Sequence, residues 1–299
     1  MTPYAQKLAK NSKKAKQYEK TGPWIEAWRR LRRNRMAIAG LIILLVLIIC
    51  SICPQLLTPY GPDEQNYSEA FQFPSLRHPF GTDNLGRDIL GRIIYGARVS
   101  LVIGLISVAL SLVIGGLLGA AAAFYGGKTD NVIMRVMDIL IALPSFLLAI
   151  AIAAALGPGL MNVIFAIAFG GIPNYARVTR AAILTVKDLE YVEAARAIGA
   201  ADRRIVFRHM IPNALAPIIV QATLGVAGAI ISAAGLSFIG LGVQPPTPEW
   251  GSMLSSGKQY IRTNWNIVTF PGLTIMLTVF ALNLLGDGLR DALDPKLKR

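Results

Sequence analysis

Cysteine and histidine, the side chains most often used as zinc ligands, nucleophiles and bases, occur only four times in this sequence of 299 residues. Cys50 and Cys53 have the C-x-x-C spacing of redox and zinc sites, but they lie inside an uncharged stretch, so we interpret them as small apolar side chains. His78 and His209 are far apart, and no nucleophile–base or metal-ligand set accompanies either one. The sequence therefore gives little support to an enzyme.

Two other motifs match ligand sites only in part. Gly127-Lys128-Thr129 has the end of a phosphate-binding loop, but the first glycine of that loop would fall at Ala122. No complete phosphate loop occurs elsewhere, so ATP hydrolysis would have to take place on another chain. The acidic residues of segment 81–88 have calcium-loop spacing, but Leu85 stands where an oxygen ligand is needed. We therefore predict no metal and no cofactor on this chain.

The most distinctive polar feature is a charged segment, residues 187–213, between two long uncharged stretches. Residues 188–198 are rich in Glu, Ala, Arg and Leu, which predicts a helix. Gly199 fits a left-handed residue that ends this helix. Asp202 can cap or charge the start of a second helix over 203–211, and Pro212 is expected to end it. The charged segment is thus predicted to form a helix–turn–helix.

The two predicted helices have different faces. Tyr191, Ala195 and Ile198 are expected to share one face of the first helix. Its charged residues at helical spacing can form ion pairs: Glu190, Glu193 and Arg196. The second helix has an apolar stripe of four residues: Val206, Phe207, Met210 and Ile211.

Composition indicates that membrane-spanning helices position this segment. The chain is 54% hydrophobic and 16% charged, with a mean hydropathy of +0.50, which is too apolar for an ordinary soluble domain. A helix needs roughly 20 residues to cross a bilayer. Uncharged runs of this length or more occur at 36–57, 99–127, 139–176, 214–248 and 263–286. Because Gly157-Pro158-Gly159 divides the third run, we predict an all-α, polytopic membrane protein with six transmembrane helices.

The basic residues predict the orientation of these helices. Twenty-four of the 30 Lys and Arg residues lie on one set of connections, which includes both termini and the charged segment. Cytoplasmic loops carry an excess of Lys and Arg. We therefore expect a multi-pass protein of a bacterial plasma (inner) membrane with cytoplasmic N- and C-termini. The net charge of +13 follows from this topology, and no nucleic-acid partner is expected.

The predicted organisation has five parts: a basic tail with an interfacial helix (1–35), the first transmembrane helix (36–57), an extracytoplasmic loop (58–98), a five-helix core (99–289) that contains the charged segment, and a cytoplasmic tail (290–299). Residues 1–23 have the composition of a disordered segment. Trp and Leu recur at helical spacing among arginines over 24–35, which fits a helix lying on membrane lipid.

Three local expectations concern packing. A helix from Asp88 into the second span is predicted to form a surface ledge for an external partner. Gly115-x-x-x-Gly119 is predicted to allow close helix packing. Arg135 and Asp138, three residues apart, are predicted to form an ion pair.

The charged segment resembles the EAA loop of ABC-importer permeases, in which Glu-Ala-Ala, three residues and Gly are followed after nine residues by Ile-x-Leu-Pro. The matching residues are Glu193, Ala194, Ala195, Gly199 and Pro212. His209 stands in place of the Ile of that pattern, and Ile211 in place of the Leu. Beyond this loop, blocks that begin at His78, Pro173 and Gly286 resemble the C-type permease of dipeptide and oligopeptide importers.

The resemblance implies the fold of a type I ABC importer permease and several partners. These are a homologous B-type permease subunit, two ABC ATPase subunits that hold ATP and Mg, and an extracytoplasmic peptide-binding protein. It also implies that the first short helix of the charged segment is a coupling helix seated on an ATPase. The implied coupling residues are Tyr191, Glu193, Ala194, Ala195, Arg196, Ile198, Gly199 and Pro212.

The implied function is ATP-driven import of dipeptides or oligopeptides, in which two permease subunits form the pathway. An ABC permease for nickel or another small solute stays open as an alternative. A self-contained ion-coupled transporter is a second alternative, although it needs a buried titratable site that these few ionisable residues do not readily supply. A membrane-bound enzyme is disfavoured because the two histidines are predicted on opposite sides of the membrane.

Overall fold

A computed structural model describes residues 23–293. The segment 1–23 that is predicted to be disordered lies outside them, except for Pro23, which begins the first described helix. The described part is helical, with one isolated bridge between Thr82 and Asp88 and no strand. We number the helices of eight or more residues: α1 Pro23–Leu31, α2 Arg35–Ile52, α3 Ile89–Tyr125, α4 Gly127–Ile141, α5 Ser145–Leu156, α6 Leu160–Leu184, α7 Glu190–Ala197, α8 Ile211–Phe238, α9 Trp250–Gly257 and α10 Asn266–Leu293.

Short helical pieces complete the chain: 3₁₀ turns at Pro54–Leu56, Tyr67–Glu69 and Lys258–Tyr260, a helical turn at Asp202–Arg204 and a π-helix at Ile205–Met210. The last two continue directly into α8, so residues 202–238 form one long helical element. The five-part division of the chain stays a prediction, and several helix ends lie elsewhere: α3 begins at Ile89, ten residues before the predicted start of the core. The first span ends at Ile52, and α10 continues past residue 289 to Leu293.

Four helical elements are long and apolar enough to cross a membrane: α2, α3, residues 202–238 and α10. The pair α4 and α5 qualifies as a fifth only if it counts as one span, because it bends by 82° around Pro144. Helix α5 has 12 residues, or about 18 Å at 1.5 Å per residue, which is too short to cross about 30 Å of hydrocarbon. The predicted break at residues 157–159 is confirmed, but the six predicted spans are not.

The extensive interface between α3 and α6 organises the bundle. A Cβ built on Gly115 would overlap the carbonyl oxygen of Ile172, and one on Gly119 would overlap that of Ala176. Without side chains at these positions the two backbones can touch, which is how helices associate where there is little water to expel. The predicted role of this glycine pair in close packing is confirmed, and the contact lies within this chain.

The start of α3 is buried, not a surface ledge. Asp88 caps the helix by accepting a hydrogen bond from the Gly91 amide at 2.6 Å, and it also lies 2.9 Å from the His78 ring. Ile89 and Ile93 pack inside the largest apolar cluster. The prediction of a surface helix was wrong because residues 58–87 fold over this helix end. The Asp83 carboxylate is likewise engaged internally, by Arg87 at 2.7 Å.

At the N-terminal end, α1 confirms the predicted short helix, although the side chain of Trp24 lies outside the described residues. Leu31 is buried against Ala37 of α2 and Ala292 of α10. Trp28, one turn before Leu31, is about half exposed, at 51%. Helix α1 is therefore attached to the bundle through one apolar residue and leaves an aromatic ring free to meet lipid.

Candidate functional site

Helix α7 ends in a turn that only a residue with a left-handed backbone can make. Gly199 has a φ of +73°. The Ala200 amide donates to the Ala195 carbonyl at 3.1 Å, and the Gly199 amide donates to the Arg196 carbonyl at 2.9 Å. These two bonds are the Schellman motif, which satisfies carbonyls that a helix end otherwise leaves unpaired. The predicted role of Gly199 as the residue that ends this helix is confirmed.

One side of α7 is fixed to the rest of the chain by apolar packing. Val192 and Ala195 are buried in a cluster with Ile183 of α6 and with Ile205 and Met210 of the π-helix. Alanines near the C-terminal end of α3 and residues of α8 complete this cluster. The short helix therefore packs directly against the π-helix, and it shares one apolar cluster with the ends of three long helical elements.

A charged contact adds to this attachment. The Lys187 ammonium donates to the Ala123 carbonyl at 2.8 Å, near the end of α3. A cation at this place satisfies a terminal carbonyl and interacts favourably with the helix dipole. The Arg196 guanidinium lies 5.6 Å from the centroid of the Phe124 ring. The ion pairs predicted for Arg196 with Glu190 or Glu193 are not formed among the described residues, because the guanidinium faces this ring instead.

The opposite side of α7 is exposed. Of the predicted coupling residues, six lie on the exposed surface of the charged segment: Tyr191, Glu193, Ala194, Arg196, Ile198 and Gly199. Ile198 is 84% exposed at the turn, and Tyr191 is 38% exposed. Partial burial raises the pKa of the Tyr191 phenol above 10, so the ring presents a neutral hydroxyl. An exposed isoleucine and tyrosine within a charged surface are typical of a contact with another protein.

The remaining predicted residues have other places. Ala195 is buried, so it anchors α7 to the helical bundle and does not share an exposed face with Tyr191 and Ile198. Pro212 is exposed, but it does not end a helix. Val192 and Ala195, which are three residues apart, form the buried face of α7. The sequence-based prediction had grouped Ala195 with Tyr191 and Ile198 instead.

The second predicted helix of the charged segment is not separate. Pro212 lacks an amide proton and would leave a gap in an α-helical hydrogen-bond ladder. The chain adopts a π-helix at Ile205–Met210 immediately before it, in which the Ile211 amide bonds to the Val206 carbonyl five residues back. The helix continues through Pro212 into α8. Asp202 lies in the first turn without a side-chain capping bond, so it contributes charge only.

Two exposed apolar residues near α7 escaped the sequence analysis. Leu189 is 45% exposed immediately before the helix, and Phe207, which we had placed in an apolar stripe, is 52% exposed. The sequence did contain a signal for their exposure, because these large apolar residues lie in a charged segment between two long uncharged stretches. Together with Tyr191 and Ile198, they make the exposed face of the charged segment partly apolar.

A second candidate site is a cavity of about 590 Å³, here named the central cavity. It lies between α3, α6 and α8, and the bend between α4 and α5 forms one wall. Serines and glycines dominate the polar part of its lining, among them Ser107, Ser111, Ser145, Gly170, Gly228 and Ser232. Such a lining offers hydroxyl and backbone groups for hydrogen bonds, and its small side chains place few limits on the shape of a bound molecule.

Among the described residues that line this cavity, only Arg177 of α6 is formally charged. Its guanidinium donates to Asp138 of α4 at 2.6 Å, and Arg180 makes a two-pronged contact with Asp130 of α4 at 2.6 and 2.5 Å. The predicted pair of Arg135 with Asp138 is therefore wrong. Asp138 finds its partner on another helix because α4 packs alongside α6.

The fold is similar to that of solved ABC importers. The described bundle superposes on a chain of the inward-facing MetNI methionine ABC transporter with a TM-score of 0.57 and 21% sequence identity, covering 69% of this chain and 98% of that one. A chain of an amino acid ABC transporter gives a TM-score of 0.53 at 15% identity, covering 68% of this chain and 94% of that one.

Sequence relatives are much more similar. A di/tripeptide transport system permease protein, DppC of Pseudomonas aeruginosa, is 51% identical over 282 residues, which cover 92% of this chain and 93% of that protein. A dipeptide transport system permease protein of Alkalihalophilus pseudofirmus is 50% identical, covering 94% and 93%. A glutathione transport system permease protein of Pectobacterium atrosepticum is 46% identical, covering 92% of each chain.

Two families match the chain directly. Residues 22–74 match the N-terminal transmembrane domain of oligopeptide transport permease C. Residues 111–299 match the inner membrane component of binding-protein-dependent transport systems. These two regions contain α2, the charged segment and all the lining residues of the central cavity except Ser107 and Val108. The chain therefore belongs to the family of inner membrane components of binding-protein-dependent transport systems, whose members are transport permease subunits and not enzymes.

Proposed function

We propose that this chain is the C-type permease subunit of an ATP-driven importer of dipeptides or oligopeptides. It would form the membrane pathway with a homologous B-type permease. Two ABC ATPase subunits would hold ATP and Mg, and an extracytoplasmic binding protein would deliver the cargo. The observation that carries this proposal is the geometry of α7. One face of this short helix is buried in an apolar cluster that also holds the ends of three long helices, and the other face is exposed.

This geometry suits the transmission of force. A partner that grips Tyr191, Ile198 and the charges between them would move a helix that packs on the π-helix and shares an apolar cluster with the ends of α3 and α6 and the start of α8. The same three helices line the central cavity. Because packed helices shift as units, closure of an ATPase pair at α7 would change the shape of the cavity and so alternate its access between the two sides.

The same proposal implies how the chain is oriented in the membrane. The charged segment and both termini face the cytoplasm, where the ATPases work, in agreement with the excess of basic residues on these connections. Helix α6 has 25 residues and is long enough for a further crossing, although Asn174 and two arginines make its second half polar. With α6 and the bent pair α4 and α5, the chain would cross the membrane six times.

The lining of the central cavity favours peptides over the alternative cargoes. Its described residues include no carboxylate, histidine or cysteine, which are the ligands that nickel prefers, and its single charge is positive. The relatives named above transport di- and tripeptides, dipeptides and glutathione by their names. Against an ion-coupled transporter, Asp130 and Asp138 are each neutralised by an arginine and so are poorly placed to carry a coupling ion.

Affinity purification from native membranes tests the proposal. We expect a second permease, two ATPase subunits and a peptide-binding protein to co-purify with the chain. The assembly should hydrolyse ATP, and the chain purified alone should not. Peptide uptake by liposomes that contain this chain alone, or hydrolysis by the isolated chain, would refute the division of labour.

A further inference from the structure

Arg177 gives the central cavity a fixed positive charge. Its guanidinium stays protonated at any physiological pH. The other described lining residues are uncharged, and most of them are small or apolar. A cation that lines a cavity attracts an anionic group and repels a cation.

The pair that Arg177 forms with Asp138 is poorly protected from solvent. Arg180 uses two nitrogens against both oxygens of Asp130, whereas Arg177 makes one contact with Asp138. The side chains of Arg177 and Asp138 are 47% and 51% exposed. Because an exposed pair with a single contact contributes little to stability, Arg177 can exchange Asp138 for another carboxylate.

Asn174 lies beside Arg177 and lines the same cavity. Residues three apart on a helix are neighbours on one face. The Asn174 side chain is exposed and offers both a donor and an acceptor, which match a peptide group. A guanidinium matches a carboxylate with two parallel hydrogen bonds. The two side chains together thus complement the C-terminal end of a peptide.

We infer that Asn174 and Arg177 form a binding site for the C-terminal carboxylate and last peptide group of the cargo. Asp138 is the resting partner of Arg177, and the cargo carboxylate displaces it. This inference rests on the proposed function and adds the chemical group that the permease itself recognises. The site would accept many sequences, because it contacts only groups that all peptides with a free C-terminus share.

The test compares trialanine with trialanine amide, which lacks the anionic carboxylate. Uptake of each is measured with the complete importer in proteoliposomes, for the wild type, Arg177→Gln and Asp138→Asn. The same binding protein serves every assembly, so its own preference cancels when the acid-to-amide ratios of the assemblies are compared. We expect Arg177→Gln to lower the ratio about tenfold, the loss typical of one hydrogen bond between charged groups.

Asp138→Asn separates recognition from structural support. Both substitutions break the same ion pair, so a purely structural role would leave the ratio unchanged in both. Recognition instead predicts that Asp138→Asn keeps or raises the ratio, because it releases Arg177 for the cargo. Equal ratios for the wild type and Arg177→Gln would overturn the inference and leave the importer function intact.

Asn174→Ala provides a second variant in case Arg177→Gln does not assemble. It is expected to reduce uptake of the acid and the amide alike, because the last peptide group is present in both. If this variant took up both compounds as fast as the wild type, the inference that Asn174 belongs to the binding site would be overturned. If the wild-type assembly imported neither dialanine nor trialanine, the proposed peptide-importer function itself would fail.

Discussion

Replacing Gly199 should weaken the coupling contact through the backbone alone. A Cβ built on Gly199 meets no atom within 4 Å, so there is open space where the side chain of Gly199→Val begins. Its φ of +73°, however, is a left-handed conformation that costs an ordinary L-residue about 1–2 kcal/mol, and a β-branched residue is least suited to it. If the turn relaxes to avoid this cost, binding that requires the native turn falls by a factor of about 5–30.

The assay is a titration of the purified ATPase subunits against the permease pair in nanodiscs, with peptide uptake measured in parallel. Gly199→Asn is the matched control, because asparagine tolerates the left-handed region and ends helices in its place. We expect Gly199→Val to lose both affinity and uptake, and Gly199→Asn to stay close to the wild type. Affinity of the valine variant within about twofold of the wild type would refute the reasoning, since the smallest expected loss is about fivefold.

Three further predictions concern the cavity, the packing and one buried carboxyl. Gly228 lines the central cavity, and a Cβ built on it would meet no atom within 4 Å, so Gly228→Phe should block peptide uptake while the importer still assembles. The control is Gly272→Phe, on α10 away from the cavity, which should leave uptake unchanged. Equal uptake by the two variants would contradict this pathway. Gly119→Val should lower the free energy of unfolding by about 2 kcal/mol by forcing α3 from α6, whereas Gly116→Val should cost less in the same melting experiment, since its nearest neighbour is 3.7 Å away. Burial raises the pKa of the Glu249 carboxyl above 4.5, so the folded chain holds this proton more tightly than the unfolded chain and loses stability as the pH rises above that value. The melting temperature of Glu249→Gln minus that of the wild type should therefore grow from about pH 5 to about pH 8, and a constant difference would count against this account.

Local sequence patterns predicted the elements whose cause is local. Gly199 follows a run of helix-forming residues and tolerates a left-handed backbone, which predicted a turn at this point, and the structure has that turn. Gly157-Pro158-Gly159 similarly separates α5 from α6. The small residues at 115 and 119 mark the tightest contact of the bundle for the same reason, since no other residue type allows backbones to touch.

Features that depend on tertiary contacts were missed. The pairing of Asp138 with Arg177 crosses from α4 to α6, and no spacing within either helix reveals it. The bend at Pro144 divides a run that is apolar on both sides, so hydropathy alone could not detect that α5 is too short to span.

The charged segment shows both behaviours. Its helix and turn were predicted, but the buried face was assigned to the wrong residues, because Val192 packs against elements distant in sequence. The π-helix before Pro212 was also missed. It arises from the need to keep a continuous helix across a residue without an amide proton, and the sequence pattern favoured a simple stop at that proline.

A cysteine cross-link tests the central claim, that α7 is where the ATPases grip this chain. In an assembled importer with Cys50 and Cys53 replaced by Ala, Ile198→Cys is combined with single cysteines along the surface of the ATPase. Leu76→Cys, fully exposed in the loop before α3, is the control at the opposite end of that helix. We predict a cross-link from position 198 whose yield changes when ATP is added, and none from position 76. An importer that transports peptides but gives no cross-link at 198, or that gives one at 76, would contradict the account.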